Sequence, residues 1–267
     1  MNLERAIDDA VADIEGVFGV AAHDWATNER FARHGDRPFL TASVIKVPIL
    51  VAALNCVQQG VFDLDQRFEL EPGDYVAGSG LLKEFDPGVS LTLKDYLTAM
   101  IVLSDNTATN LVLRVVGIPR INDYLAGLGL VHTRSHRPVR SDGPLPGEHR
   151  GIGTTTPLEM LTLLDGLVGQ TLLTPELCDL AVSMLKRQQY TEGLPRYLPT
   201  EVTVANKVGM VNDVRNDVGI LFPPDRPPIT LAVLSDSLAD RRYWVDNAGW
   251  LGIARIARAV YDHWTTF

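Results

Sequence analysis

Cysteine is nearly absent: 2 in 267 residues, too few for a disulfide framework. Cys56 and Cys178 read instead as buried thiols of a reducing compartment. No Cys-x-x-Cys or His-Glu-x-x-His occurs. His132 and His136 stand four apart, but Thr-Arg-Ser lies between them and Pro138 follows, so they read as loop residues without a third ligand. The expectation is no metal and no cofactor. Long apolar runs are missing as well. The longest, Val47 to Leu54, falls far short of the roughly 20 residues that span a bilayer, so no membrane role is expected. Positive charge is scarce, with 24 Lys and Arg against 33 Asp and Glu and a net charge of −9. That balance supplies no basic stripe to release counterions, which argues against a nucleic-acid partner. The first ten residues, Met1 to Ala10, are acidic and amphipathic and lack a basic stretch followed by an apolar one. No secretory leader is read there, and the expected location is the cytoplasm unless an upstream segment has been removed. No fixed-period repeat or low-complexity tract is present.

With 46% hydrophobic and 21% charged residues, a sizeable core forms and global disorder is excluded. Apolar spacing predicts a helix from Leu3 to Ile14, stopped by Gly16. Val17–Trp25 and Glu29–Arg33 read as an antiparallel pair turning at Thr27-Asn28. A strongly apolar helix follows from Ser43 to Gln59, closed by Gly60. The middle is helical: Leu93–Leu103, Asn106–Val116, Ile118–Gly127, Thr156–Val168 and Pro175–Lys186. Between His132 and Gly153 lies a long loop, and loops of that length are commonly functional or disordered. Strands return at Glu201–Lys207, Val214–Phe222 and Ile229–Ser235, before a last helix from Tyr243 to His263. Strands at both ends imply an α/β fold of the α+β type. An antiparallel sheet from the N- and C-terminal portions would be flanked by helices, with an inserted all-helical lobe. The expected division is a discontinuous sheet lobe, 1–42 and 191–267, and a helical lobe, 43–190, with a small-molecule cleft between them.

Three short motifs carry chemistry. Ser43-Val44-Ile45-Lys46 opens the first buried helix, and residues i and i+3 share a helical face. A lysine in an apolar setting has its charged form disfavoured and can serve as a base. Alone the motif says little, since roughly one Ser-x-x-Lys is expected in a chain this long. A second copy, Ser183-Met184-Leu185-Lys186, sits late in a surface-like helix. Ser104-Asp105-Asn106 precedes a helix, where all three residue types favour capping. Chemically, its Ser can relay a proton to a leaving amine and its Asn can hold a carbonyl. Lys207-Val208-Gly209 closes a strand, and beside a nucleophile Lys207 would attract an anionic substrate and keep Lys46 neutral. Ser104 comes 61 residues after Ser43, and Lys207 comes 103 after Ser104.

This set, in this order, resembles the class A β-lactamases and the penicillin-binding proteins. SDNTATNLVL from Ser104 to Leu113, GTTTP from Gly153 to Pro157 and KVGMVNDVRNDVGIL from Lys207 to Leu221 extend the resemblance over essentially the whole chain. It implies a β-lactamase/transpeptidase-like fold and acyl transfer through an ester on Ser43, with Lys46 as its base partner. Ser104 would relay the proton to the leaving nitrogen, and Asn106 would bind the substrate's amide. Lys207 would hold the substrate carboxylate beside Gly209. The amides of Ser43 and Met210 would form the oxyanion hole. Asn110 matches the residue that anchors the loop carrying the deacylating carboxylate. The implied partner is a small molecule, a β-lactam, ester or short peptide. Two positions depart from the family pattern. Val208 replaces a hydroxyl residue that binds the substrate carboxylate, a task Arg215 would take over in part. Arg140 falls near the place of the family's deacylating Glu, leaving Asp142 and Glu148 as the nearby acids. Loss of a general base typically costs roughly 10²–10⁴ in rate. Two rivals remain: an esterase or peptidase using the same serine, and a penicillin-binding or sensing domain that does not turn over.

Overall fold

The computed structural model describes residues 2–148 and 150–265. Helix α1 (Leu3–Val11) is followed by strands β1 (Val17–Asp24), β2 (Glu29–Arg33) and β3 (Phe39–Leu40). A 3-10 turn, Ala42–Ile45, leads into α2 (Lys46–Gln58). Next come β4 (Arg67–Glu69), β5 (Ser90–Thr92), α3 (Leu93–Val102), α4 (Asn106–Val116) and α5 (Ile118–Gly127). Then follow β6 (Arg134–Ser135), β7 (Gly153–Thr155), α6 (Pro157–Val168) and α7 (Pro175–Lys186). The chain closes with β8 (Thr203–Val211), β9 (Val214–Phe222), β10 (Ile229–Asp236) and α8 (Ala248–Thr265).

The main sheet runs β2-β1-β10-β9-β8, antiparallel throughout, so its strands do come from both ends of the sequence. Both faces are covered, which is why β1 and β10 read as nearly unbroken apolar runs. Period-two alternation still sorts their side chains. Ala232 and Leu234 join Ala205, Val218 and Ile220 against the helices of the middle segment. Leu231 and Val233 join Phe18, Val20 and Leu221 against α1 and α8. At the centre of the first core lies α2, buried along almost its whole length because no face of it is polar.

Four boundaries differ from the sequence expectation. Ser43 lies in a 3-10 turn, and the α-helix begins only at Lys46. Strand β8 continues past Lys207 to Val211 because its pairing with β9 holds to the turn. The last helix starts at Ala248 rather than Tyr243: Asp240 Oδ2 accepts the Ala248 N–H at 2.9 Å and Asn247 Oδ1 accepts that of Gly249 at 2.8 Å, fixing the helix start there. Helix α1 ends at Val11, short of Ile14. Two small sheets, β3-β7-β6 and β4-β5, also appear within and beside the helical segment. Cys56 and Cys178 are buried free thiols. No helix among the described residues is long and apolar enough to cross a membrane.

Candidate active site

The Ser-Asp-Asn segment does two jobs at once. Asp105 caps α4, accepting the Ala108 N–H at 2.8 Å through Oδ1. Its other oxygen accepts the N–H groups of Leu81 and Leu82 at 2.7 and 2.9 Å. The two flanking residues are thereby left to face Lys46. Ser104 holds a left-handed φ of 52°, and Ala42, just before Ser43, one of 43°. Such backbone costs about 1–3 kcal/mol per non-glycine residue and is kept where the surroundings impose it.

Lys46 is fully buried. Its Nζ donates to the Ser104 carbonyl at 2.8 Å and to Asn106 Oδ1 at 2.9 Å, and lies 3.0 Å from Ser104 Oγ. Burial holds its amine well below the ordinary lysine value, the charge of Lys207 pushes it lower still, and Asp105 opposes both. No hydrogen bond joins Lys46 Nζ to Ser43 Oγ among the described residues; the amine is positioned by Ser104 and Asn106. Lys207 is also fully buried, with Nζ donating to the Val208 carbonyl at 2.9 Å. Its pKa falls to about 7 through burial, against the opposing pull of Asp217. Asp217, buried without a cation on its oxygens, is raised to about 7 and accepts from Asn206 and the Leu194 N–H.

Strand β8 lies directly on the turn that carries Ser43. A Cβ on Gly209 would fall 2.7 Å from the Thr41 carbonyl oxygen and 2.9 Å from the amide nitrogens of Ser43 and Val44. Buried Asn216 ties the same turn to the sheet by donating to the Leu40 and Thr41 carbonyls at 2.9 and 3.0 Å. Opposite Met210 in the ladder stands Arg215, whose N–H goes the other way, to Ser235 Oγ at 3.0 Å. The Met210–Arg215 pair is therefore a non-hydrogen-bonded one, and the Met210 N–H points off the free edge of the sheet. Ser43, Lys46, Ser104 and Asn106 from the helical segment thus meet Lys207, Gly209 and Met210 from the sheet.

Two further expected residues lie outside this cluster. The Arg215 side chain is wholly buried, donating to the carbonyls of Asn212, Val214 and Arg242 at 2.7–2.9 Å. Its guanidinium also lies 5.1 Å from the Tyr243 ring. Those three carbonyls already occupy the guanidinium's terminal N–H groups, on the face of β9 away from the Ser43 turn. Asn110 acts on the long loop, exchanging two hydrogen bonds with the Val139 backbone at 2.9 and 3.0 Å. Next to Val139, Arg140 forms an ion pair with Glu148. The Arg140 contact holds the Glu148 carboxyl below its usual value, assisted by the Leu145 N–H. Asp142 is exposed. The second Ser-x-x-Lys stays at the surface, Lys186 Nζ lying 4.0 Å over the Phe222 ring.

A model of the beta-lactamase enzyme family matches residues 2–264. The chain belongs to the class A β-lactamase family. A beta-lactamase of Bacillus licheniformis is 32% identical over 246 residues, covering 88% of this chain and 77% of its own length. Beta-lactamase 3 of Bacillus cereus is 32% identical over 222 residues, 82% and 69% of the two chains. Among solved structures, a beta-lactamase from Sphaerobacter thermophilus superposes with a TM-score of 0.89 at 30% identity, over 99% of this chain and 97% of that one. The L158E mutant of PBP-A, in an acyl-enzyme complex with penicillin G, gives a TM-score of 0.89 at 26% identity, over 100% and 97%. The β-lactamase fold is thereby established, and family and fold together support a β-lactamase-like hydrolase. Sequence reasoning passed over Asp105 and Asn216 as working parts of this β-lactamase-type site. The polar run Arg215-Asn216-Asp217 inside β9 was the available signal, since buried polar groups need partners.

Proposed function

We propose that the protein transfers acyl groups through an ester on Ser43, with β-lactams or related esters and amides as substrates, and that this ester is hydrolysed slowly. The buried Lys46 amine carries the reading. A neutral amine has two N–H groups and one lone pair. With the N–H groups donated to the Ser104 carbonyl and Asn106 Oδ1, the lone pair faces the Ser104 hydroxyl, 3.0 Å away, and can take a hydroxyl proton from that side. Ser43 Oγ attacks the substrate carbonyl and gives its proton to Lys46 Nζ. The carbonyl oxygen becomes an oxyanion between the Ser43 and Met210 N–H groups. Ser104 Oγ passes its proton to the leaving group and recovers one from Lys46, 3.0 Å away. Lys207 supplies positive charge for an anionic substituent.

Release of the acyl group needs a base for water. Glu148 is paired with Arg140 and Asp142 is exposed, so neither is poised for that task. Without a positioned base the step slows by roughly 10²–10⁴. Intact-protein mass measured over time after adding a penicillin tests this. One adduct on Ser43 that persists is expected, and its rapid clearance would mean that a base is already in place. A second reading, an esterase using the same serine, is favoured by Val208 and the buried Arg215, which leave Lys207 alone to hold a substrate carboxylate. Turnover of a chromogenic ester without reaction with a lactam would select it.

A further inference from the structure

Two loops are tied to one face of α4, the first between β4 and β5 and the second between β6 and β7. Asn106 and Asn110 stand four residues apart in that helix and so lie on the same side of it. Asn106 holds the first loop. Its N–H donates to the Ser79 carbonyl at 3.0 Å and its Nδ2 to the Ala77 carbonyl at 3.2 Å. Asn110 holds the second loop through Val139. The loops also meet each other, the Ala77 N–H donating to Ser141 Oγ at 3.2 Å. Helix and loops thereby form a closed ring. Lys46 is fastened to that ring through Asn106 Oδ1, 2.9 Å from its amine.

The ring decides which way the Asn106 amide faces. A carboxamide has an oxygen that accepts and a nitrogen with two N–H groups that donate. Lys46 takes the oxygen and the Ala77 carbonyl takes one N–H, which leaves the second N–H for a substrate carbonyl. The peptide that carries the Ala77 carbonyl leads into Gly78, whose φ of 100° is left-handed. A Cβ there would fall 2.7 Å from Asn106 Nδ2, so only glycine lets the backbone come this close, and glycine adds no stiffness of its own. Val76 and Gly78, on either side of Ala77, are tied to Thr107 and Lys83. Loss of the Ser141 contact therefore loosens Ala77 without releasing the loop.

We propose that Ser141 is a positioning residue for acylation: through Ala77 it holds the Asn106 amide with its oxygen toward Lys46 and an N–H toward an amide carbonyl in the acyl half of the substrate. The proposal rests on Ser43 acylation and on Asn106 as the amide-binding group, as set out above. When Asn106 turns, Lys46 keeps both of its Ser104 contacts, so a substrate that carries no amide is spared.

Two phenyl esters of equal chain length test it. Phenyl hippurate has an amide one carbon from the reacting carbonyl, and phenyl γ-phenylbutyrate has methylene groups in its place. Acylation of Ser43 is followed by mass, with Ser43→Ala as the blank and thermal unfolding as the check on folding. Ser141→Ala is expected to slow the hippurate about threefold, as fits one exposed hydrogen bond, and to leave the phenylbutyrate unchanged. Ser141→Thr keeps the hydroxyl and is expected to restore the hippurate rate. Equal slowing of both esters, no slowing of either, or no recovery with Thr would overturn the positioning role. Asn106→Ala tests the layer beneath, since it should slow the hippurate more than the phenylbutyrate. If it does not, or if the unaltered protein is acylated by neither ester, the underlying reading of the site fails instead.

Discussion

Lys46 and Lys186 each follow a serine by three residues, yet only Lys46 is out of water. Burial lowers its proton affinity and the two neighbouring acceptors orient it, whereas Lys186 rests on an aromatic face. Lys46→Ala is expected to abolish acylation of Ser43 by any activated ester or lactam, and Lys186→Ala to leave the rate unchanged. Equal rates in the two variants would mean that the wrong serine has been assigned. Lys207 makes a pH-dependent contribution. Its folded pKa of about 7 lies below the ordinary lysine value, so its charge is present below about pH 7 and is lost above it. Binding of an anionic substrate should weaken as pH rises through that value, while an uncharged ester should show no such loss. Acylation constants for the two substrate types, measured from pH 5.5 to 8.5, check this. A parallel pH response for both would remove Lys207 from anion binding.

Among the elements, the long loop between β6 and β7 decides the fate of the ester. Asn110 clamps it at Val139, so the neighbouring position 140 is fixed relative to α4. Arg140→Glu would break the pair with Glu148 and put a second carboxylate beside it, and like charges raise the proton affinity of one of the two, as a base requires. Loss of the penicillin adduct should quicken by at most about 10²-fold, because a grafted group lacks supporting contacts; unchanged adduct lifetime would show that position 140 does not face the ester. The longer elements were legible because period 3.6 or continuous apolar burial spans enough residues to register. Strands β3, β4, β5, β6 and β7 have two or three residues each and carry no period. Motif order singles out Ser43, Lys46, Ser104, Asn106 and Lys207, and in the fold Lys46 contacts Ser104 and Asn106. The burial of the Arg215 side chain was not legible, because spacing does not reveal which face of β9 is covered by Tyr243 and α8. The start of the last helix was set too early because exposed Tyr243, Trp244 and Val245 mimic an amphipathic first turn.

At the scale of the molecule, the proposed division into 1–42 plus 191–267 and 43–190 makes no break in the core. Ala205, Val218, Ile220, Ala232 and Leu234 of the sheet belong to the same apolar cluster as α2 to α7. All four tryptophans, Trp25, Trp244, Trp250 and Trp264, lie in the sheet lobe of that division, whereas most of the helix lies in the other. Tryptophan fluorescence and far-ultraviolet circular dichroism therefore report on different lobes. Urea transitions by the two probes should coincide, as for one cooperative unit. Separated midpoints would show the lobes unfolding independently.

Gly209 ties the two halves of the site into one mechanical part. With no side chain between strand and turn, the Ser43 amide and the Met210 amide cannot drift apart or together without moving the whole sheet edge. For a lineage under selection, that contact is closed ground: even one methyl group there meets three backbone atoms. Adaptation to bulkier substrates has to come from parts outside that contact, such as the loop beyond Val139. The molecule thus separates what evolution can vary from what it must inherit.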